Sequence, residues 1–134
     1  MADFCIHIDL YRRLLTAAAA SPAAEICGLL YGEEGRIEAA RPVANVAADP
    51  AIGFELEPAA LIAAHRAARR GEPRPIGHYH SHPRGPATPS PRDLAAAEPG
   101  SLWLILGGSE ARLWRERQGN FVEVNLIFAR LAPK

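Results

Sequence analysis

The apolar patterning of the chain predicts an α+β (mixed α/β) fold, a central mixed β-sheet flanked by helices. Three observations lead there. The 134 residues suffice for one domain with a real core and are too few for two comfortable ones. Strand-like and helix-like patterns follow one another as β-α-β-β-β-α-β-α-β-β-β. No internal repeat or boundary interrupts them, so residues 1–134 read as a single domain.

The elements follow in order. "FCIHI" (4–8) alternates as a strand does, and Asp9 is placed to cap a helix from about Leu10 to Ala20, ended by Ser21-Pro22. The stretch "YRRLLTAAAASPAA" loosely mimics a secretory leader, but the strand before it and the dominance of alanine favour a first helix. "EICGLLYG" (25–32) reads as a buried strand, "EEG" as a turn, and "RIEAARPV" (36–43) as its partner. A loop follows over 44–52. "GFELE" (53–57) is a short alternating strand. Pro58 opens a helix that stops at Gly71. "RPIGHYHSH" (74–82) is the next strand, "PRGPATP" a rigid loop, and Ser90 the start of another helix. "SLWLILG", "EARLWRE" and "FVEVNLIF" close the chain as three strands joined by hairpin turns.

Composition narrows the function classes. Hydrophobic residues make up 49%, which argues against disorder. The formal net charge is zero, with no basic or acidic block, so neither nucleic acid nor an anionic membrane is expected as the main partner. No stretch approaches the length of a transmembrane span. Cys5 and Cys27 form no C-x-x-C pattern, and two thiols are ordinary in the cytoplasm, the expected compartment. Lys134 is the one lysine against fourteen arginines, which codon bias in a GC-rich genome explains.

The stretch "HYHSHPRGPATPSPRD" (78–93) carries the chemistry. Strand side chains alternate, so His80 and His82 leave one face roughly 7 Å apart and can converge on one metal ion. His78 shares that face, and spacing alone leaves open which two bind. Ser90-Pro91-Arg92-Asp93 is a helix start, with serine as the cap and an acid at the third position. Taken alone, that tetrapeptide is common and implies only a cap. Combined with the histidines, it offers a His₂Asp set that leaves one tetrahedral position open, as catalytic zinc sites do. Spacing would also admit other divalent metals.

H-x-H, seven residues, Ser, two residues, Asp resembles the signature of the JAMM (MPN-plus) metalloproteases, met here by His80, His82, Ser90 and Asp93 with no departure in spacing. "EICGLLYG" matches the E-x-x-G-x-L-x-G strand of that family through Glu25, and Pro83 follows the second histidine as expected. The resemblance implies a JAMM/MPN-like domain with a layering similar to cytidine deaminases. The deaminase motifs themselves, H-x-E and P-C-x-x-C, are absent from the sequence. It implies His80, His82 and Asp93 as zinc ligands, with water on the zinc as nucleophile. It implies Glu25 as general acid/base and Ser90 as a stabiliser of the oxyanion. His78 lies outside the signature and reads as packed or supporting, and Cys27 as a core thiol.

The chain is little longer than the catalytic domain and looks like the compact bacterial members that act on ubiquitin-fold sulfur-carrier proteins. The leading expectation is hydrolysis after the Gly-Gly tail of such a carrier. An isopeptidase removing ubiquitin-like modifiers from lysine is the first alternative, and a non-catalytic MPN scaffold the second. The "GFELE" edge is the expected place for an extended tail to add as a strand, with the loop containing Gly85 as another wall. The sequence leaves room for a homodimer.

Overall fold

The computed structural model describes residues 3–130. The elements are β1 (Phe4–His7), α1 (Ile8–Ala19), β2 (Cys27–Glu33), β3 (Arg36–Val43), α2 (Pro58–Arg69), β4 (Pro75–His82), α3 (Pro91–Ala96), β5 (Leu102–Gly107), β6 (Glu110–Arg117), β7 (Asn120–Val124) and β8 (Leu126–Ala129). The strands form one mixed sheet in the order β7-β6-β5-β4-β2-β3-β1-β8. β4 and β5 run parallel, joined by the proline-rich loop and α3, so the histidine-bearing end of β4 lies beside the end of β5. On its other side β4 pairs antiparallel with β2, with Cys27 opposite His80.

Alternation sorts the central strands into two faces. Leu30 of β2, Tyr79 of β4 and Leu102, Leu104 and Leu106 of β5 point to one side and are buried with Phe4, Ile6, Ile37 and Leu113. α1 covers this face with Leu10 and Leu14, and the Tyr11 hydroxyl accepts from the Ala111 amide at 3.1 Å. Each such aliphatic burial contributes roughly 1.5–3 kcal/mol. The opposite face carries Cys27, His78, His80, Trp103 and Ile105, and is where chemistry becomes possible.

Three expectations are corrected. Asp9 does not cap α1: the helix starts two residues earlier, at Ile8, and His7 Nδ1 accepts from the Asp9 amide at 3.0 Å. "FVEVNLIF" is not one hairpin strand. Its first half extends the sheet beside β6, and then Asn125 turns the chain so that β8 lies parallel to β1, in register Phe4 with Leu126. The Asn125 carbonyl accepts from the Phe4 amide at 3.0 Å, which starts the β1–β8 pairing at the far edge of the sheet from β7. "GFELE" is not a sheet strand. It makes a single antiparallel bridge, Leu56 with Asn45, beside Val46 N–H to Glu55 O and Glu57 N–H to Ala44 O. Pro58 then commits the chain to α2, leaving no length for a ladder.

Gly107 matters to the site. A Cβ there would stand 2.6 Å from the Pro86 carbonyl carbon, so only glycine lets the 83–89 loop cross the end of β5. That crossing brings the Pro86 carbonyl to His82.

Candidate active site and metal centre

β4 presents His80 and His82 at its final turn of pleat, and α3 presents Asp93 from its first turn. His80 Nε2 lies 3.0 Å from His82 Nε2 and 3.3 Å from Asp93 Oδ1, while His82 Nε2 lies 3.1 Å from Asp93 Oδ2. His80 and Asp93 are buried and His82 partly so. Tetrahedral ligation with metal–nitrogen bonds near 2.0–2.1 Å sets ligand atoms about 3.3 Å apart, close to the edges of this triangle.

Proton placement strengthens the fit. The Pro86 carbonyl can only accept, so at 2.9 Å His82 Nδ1 donates to it and leaves Nε2 aimed at the centre. There Nε2 faces a carboxylate and a second ring nitrogen, and against the pull of burial its contact with Asp93 raises the His82 pKa. A proton on Nε2 bridges the ring to Asp93; a cation at the centre would replace it and engage all three groups. The donor set therefore suits a metal ion, and His80, His82 and Asp93 could hold it. Burial alone would raise the pKa of Asp93. Hydrogen bonds from His80, His82 and the Ser90 amide outweigh burial and keep Asp93 ionised, well below the usual carboxylate range.

Ser90 and Asp93 form a capping box. Ser90 Oγ accepts from the Asp93 amide at 3.1 Å, and Asp93 Oδ2 accepts from the Ser90 amide at 2.9 Å. The cap and the site reading thus coincide: the box fixes the carboxylate, and the Ser90 O–H has no acceptor among the described residues.

Glu25 lies two residues before β2 and is placed by the strand that follows it. The Ile26 amide donates to Ser81 Oγ at 2.9 Å and the Ile26 carbonyl accepts from the Ser81 amide at 3.0 Å, which clamps the residue after Glu25 to the one between the two histidines. Glu25 is buried, and its Oε1 has no hydrogen-bond partner. Burial pushes its pKa from the ordinary 4.5 up to about 7, against the pull of His82; Asp93 adds to the rise and Arg92 opposes it. Glu25, His82 and Ser90 line one cleft of about 520 Å³ together with Ala51, Ile52, Pro83, Arg84 and Gly85.

The expected residues are thus brought together from three separate segments. His78 stands apart from the triad. It packs edge-on to Trp103 at 4.4 Å, and burial takes its pKa down to about 4, so it stays neutral. Cys27 is a core thiol raised to about 11 by burial, which makes it unreactive. Sequence reasoning missed Phe54, whose ring stacks on His80 at 4.2 Å and 18° and shields it from solvent. It also missed Pro86 and Asn45. Their roles rest on backbone carbonyls and long-range contacts, which leave no periodic signal.

Fold and site together define a metalloprotease-like hydrolase. Residues 7–117 match the family described as prokaryotic homologs of the JAB domain, and the chain belongs to that family. It is similar to a desampylase of Haloferax volcanii, 40% identical over 91 residues, 66% of this chain and 66% of the relative. It is also similar to a probable TtuB-protein conjugate cleaving protease of Thermus thermophilus, 34% identical over 98 residues, 73% of this chain and 65% of the relative. These alignments span about two thirds of each relative's length. In fold it resembles protein DSY2949 of Desulfitobacterium hafniense, with a TM-score of 0.81, 23% identity and coverage of 96% and 94% of the two chains. It also resembles a structure described as the JAMM metalloprotease-like zinc site in the proteasome and signalosome, with a TM-score of 0.56, 18% identity and coverage of 95% and 99%. No helix among the described residues is long and apolar enough to cross a membrane.

Proposed function

We propose that this chain is a zinc-dependent peptidase that hydrolyses the amide bond after the C-terminal Gly-Gly tail of a ubiquitin-fold protein. The observation that carries the reading is the convergence of His80, His82 and Asp93 within one coordination sphere, at the edge of a cleft that also holds Glu25 and Ser90. A domain that only binds partners has no need of that arrangement.

His80, His82 and Asp93 would hold the zinc, which would supply a Lewis-acid charge able to polarise a carbonyl and to acidify water. The chain's own groups do the rest. Glu25 takes the proton of the attacking water and passes it to the leaving amine, and burial, which raises its proton affinity, suits it to carry that proton between the two. Ser90 donates its free O–H to the carbonyl oxygen as negative charge develops there. Phe54, stacked on His80, keeps bulk water from that side of the site.

The carrier with a C-terminal extension, or with a newly made cysteine, is the substrate proposed first. The relatives' names favour a second reading with the same chemistry, release of a ubiquitin-like modifier from a protein conjugate, where the leaving group is a lysine amine. Intact-mass assays on a carrier–peptide fusion and on a carrier–lysine conjugate separate the two. Faster release from the fusion supports the first, and faster release from the conjugate supports the second.

A further inference from the structure

We infer that Asn45 is a positioning residue that makes Glu25 and the 44–57 loop move as one unit; this rests on the peptidase reading above. The Asn45 side chain uses its full hydrogen-bonding capacity. Nδ2 donates to the Glu25 carbonyl at 2.9 Å and to the Gly53 carbonyl at 3.1 Å. Oδ1 accepts from the amides of Ala47 and Glu55, each at 3.0 Å. The orientation of the amide group is fixed by these partners, because a flipped side chain would set donors against donors and acceptors against acceptors.

The need for such a tie follows from Glu25. No protein group among the described residues hydrogen-bonds its carboxylate, and Oε1 is buried without a partner. Its direction therefore depends on how its backbone is held. Both backbone groups of Glu25 are held by the same loop: its amide donates to the Pro50 carbonyl at 2.7 Å, and its carbonyl accepts from Asn45. The same loop lends Ala51 and Ile52 to the cleft wall and Phe54 to the cover of His80. A tail pressing on Ala51 and Ile52 thus bears directly on the backbone that aims the general base. Asn45 contributes no atom to the cleft and no candidate metal ligand.

The experiment is a double-mutant cycle, Asn45→Ala with Glu25→Ala, in the zinc-loaded full chain. Single-turnover cleavage of a Gly-Gly-extended ubiquitin-fold carrier is followed together with zinc per chain and amide exchange at Glu25. Displacing a catalytic group by about 1 Å costs on the order of 10²-fold in rate. N45A is expected to slow the maximal rate by that order and to keep the wild-type zinc content. It is also expected to lose protection of the Glu25 amide, and to slow the E25A enzyme hardly at all, since a residue acting through Glu25 is silent once Glu25 is gone. An equal slowing of the E25A enzyme, a lost zinc, or an unchanged rate in N45A overturns the inference. Should N45A not fold, N45D decides in the same cycle, because it keeps the two acceptor bonds to the loop and loses both donated ones. A wild-type enzyme that leaves the carrier intact counts against the peptidase reading instead. The exchange measurement still reports whether Asn45 holds the loop on Glu25, and unchanged protection in N45A overturns the tie itself.

Discussion

Replacing Glu25 by glutamine in chelated protein should make folding stability less sensitive to pH. A buried carboxyl with a folded pKa of about 7 and an ordinary value of 4.5 binds its proton more tightly when folded. Its cost to the fold is therefore absent below pH 4.5, grows between 4.5 and 7, and is complete above 7. Each tenfold difference in proton affinity is worth about 1.4 kcal/mol, so the full cost is at most about 3 kcal/mol. The glutamine side chain does not ionise and carries no such cost. Urea unfolding of wild type and Glu25→Gln at pH 5, 6, 7 and 8 measures it. The advantage of the variant should rise by up to about 2.5 kcal/mol from pH 5 to pH 8, most of it below pH 7, because part of the cost is already present at pH 5. Taking the difference cancels the titrations of His80, His82 and Asp93, apart from their coupling to Glu25. Metal loading should shrink the effect, because a cation beside the carboxylate favours its ionised form. An advantage that stays flat with pH, or falls, would refute the claim that Glu25 is desolvated at the cleft.

Other outcomes follow from the same geometry. Asp93→Asn keeps the shape but loses the charge that pairs with the histidines, so zinc affinity should drop at least tenfold in a chelator-competition titration. Ser90→Ala should lower kcat about 10²–10³-fold through the lost O–H donor and cost about 1 kcal/mol through the lost cap; a kcat effect below threefold would leave Ser90 as a cap alone. Leu30→Ala, at a fully buried position beneath α1, should cost about 2–5 kcal/mol in denaturant unfolding. In the folded protein a thiol reagent should modify Cys5, which is partly exposed, well before Cys27, which is buried and raised to about 11.

Much of the site was legible because its residues obey local rules. His80 and His82 share a face by the period of two, and Ser90 with Asp93 forms the reciprocal cap that S-P-x-D spells. Glu25 was legible only through resemblance to a family motif, since nothing local ties it to residues more than fifty positions away. The central strands carry continuous apolar runs and were readable for that reason; β5 is buried along its whole length. The final strands were misread because "FVEVNLIF" is strand-prone throughout with no turn signal, and only the long-range pairing of β7 with β6 and of β8 with β1 reveals its division at Asn125. "GFELE" misled in the opposite way. Its alternation is real, but its work is done by the Phe54 ring on His80 and by the Asn45 tie rather than by a ladder.

The most direct test is hydrolysis of a ubiquitin-fold carrier extended beyond Gly-Gly, and of its lysine conjugate, read by intact mass with chelator and with zinc restored. The account predicts cleavage after the second glycine of at least one substrate, lost with chelator, regained with zinc, and absent in Glu25→Gln. Zinc-loaded protein that leaves both substrates whole, or cleavage that persists without metal, would contradict it.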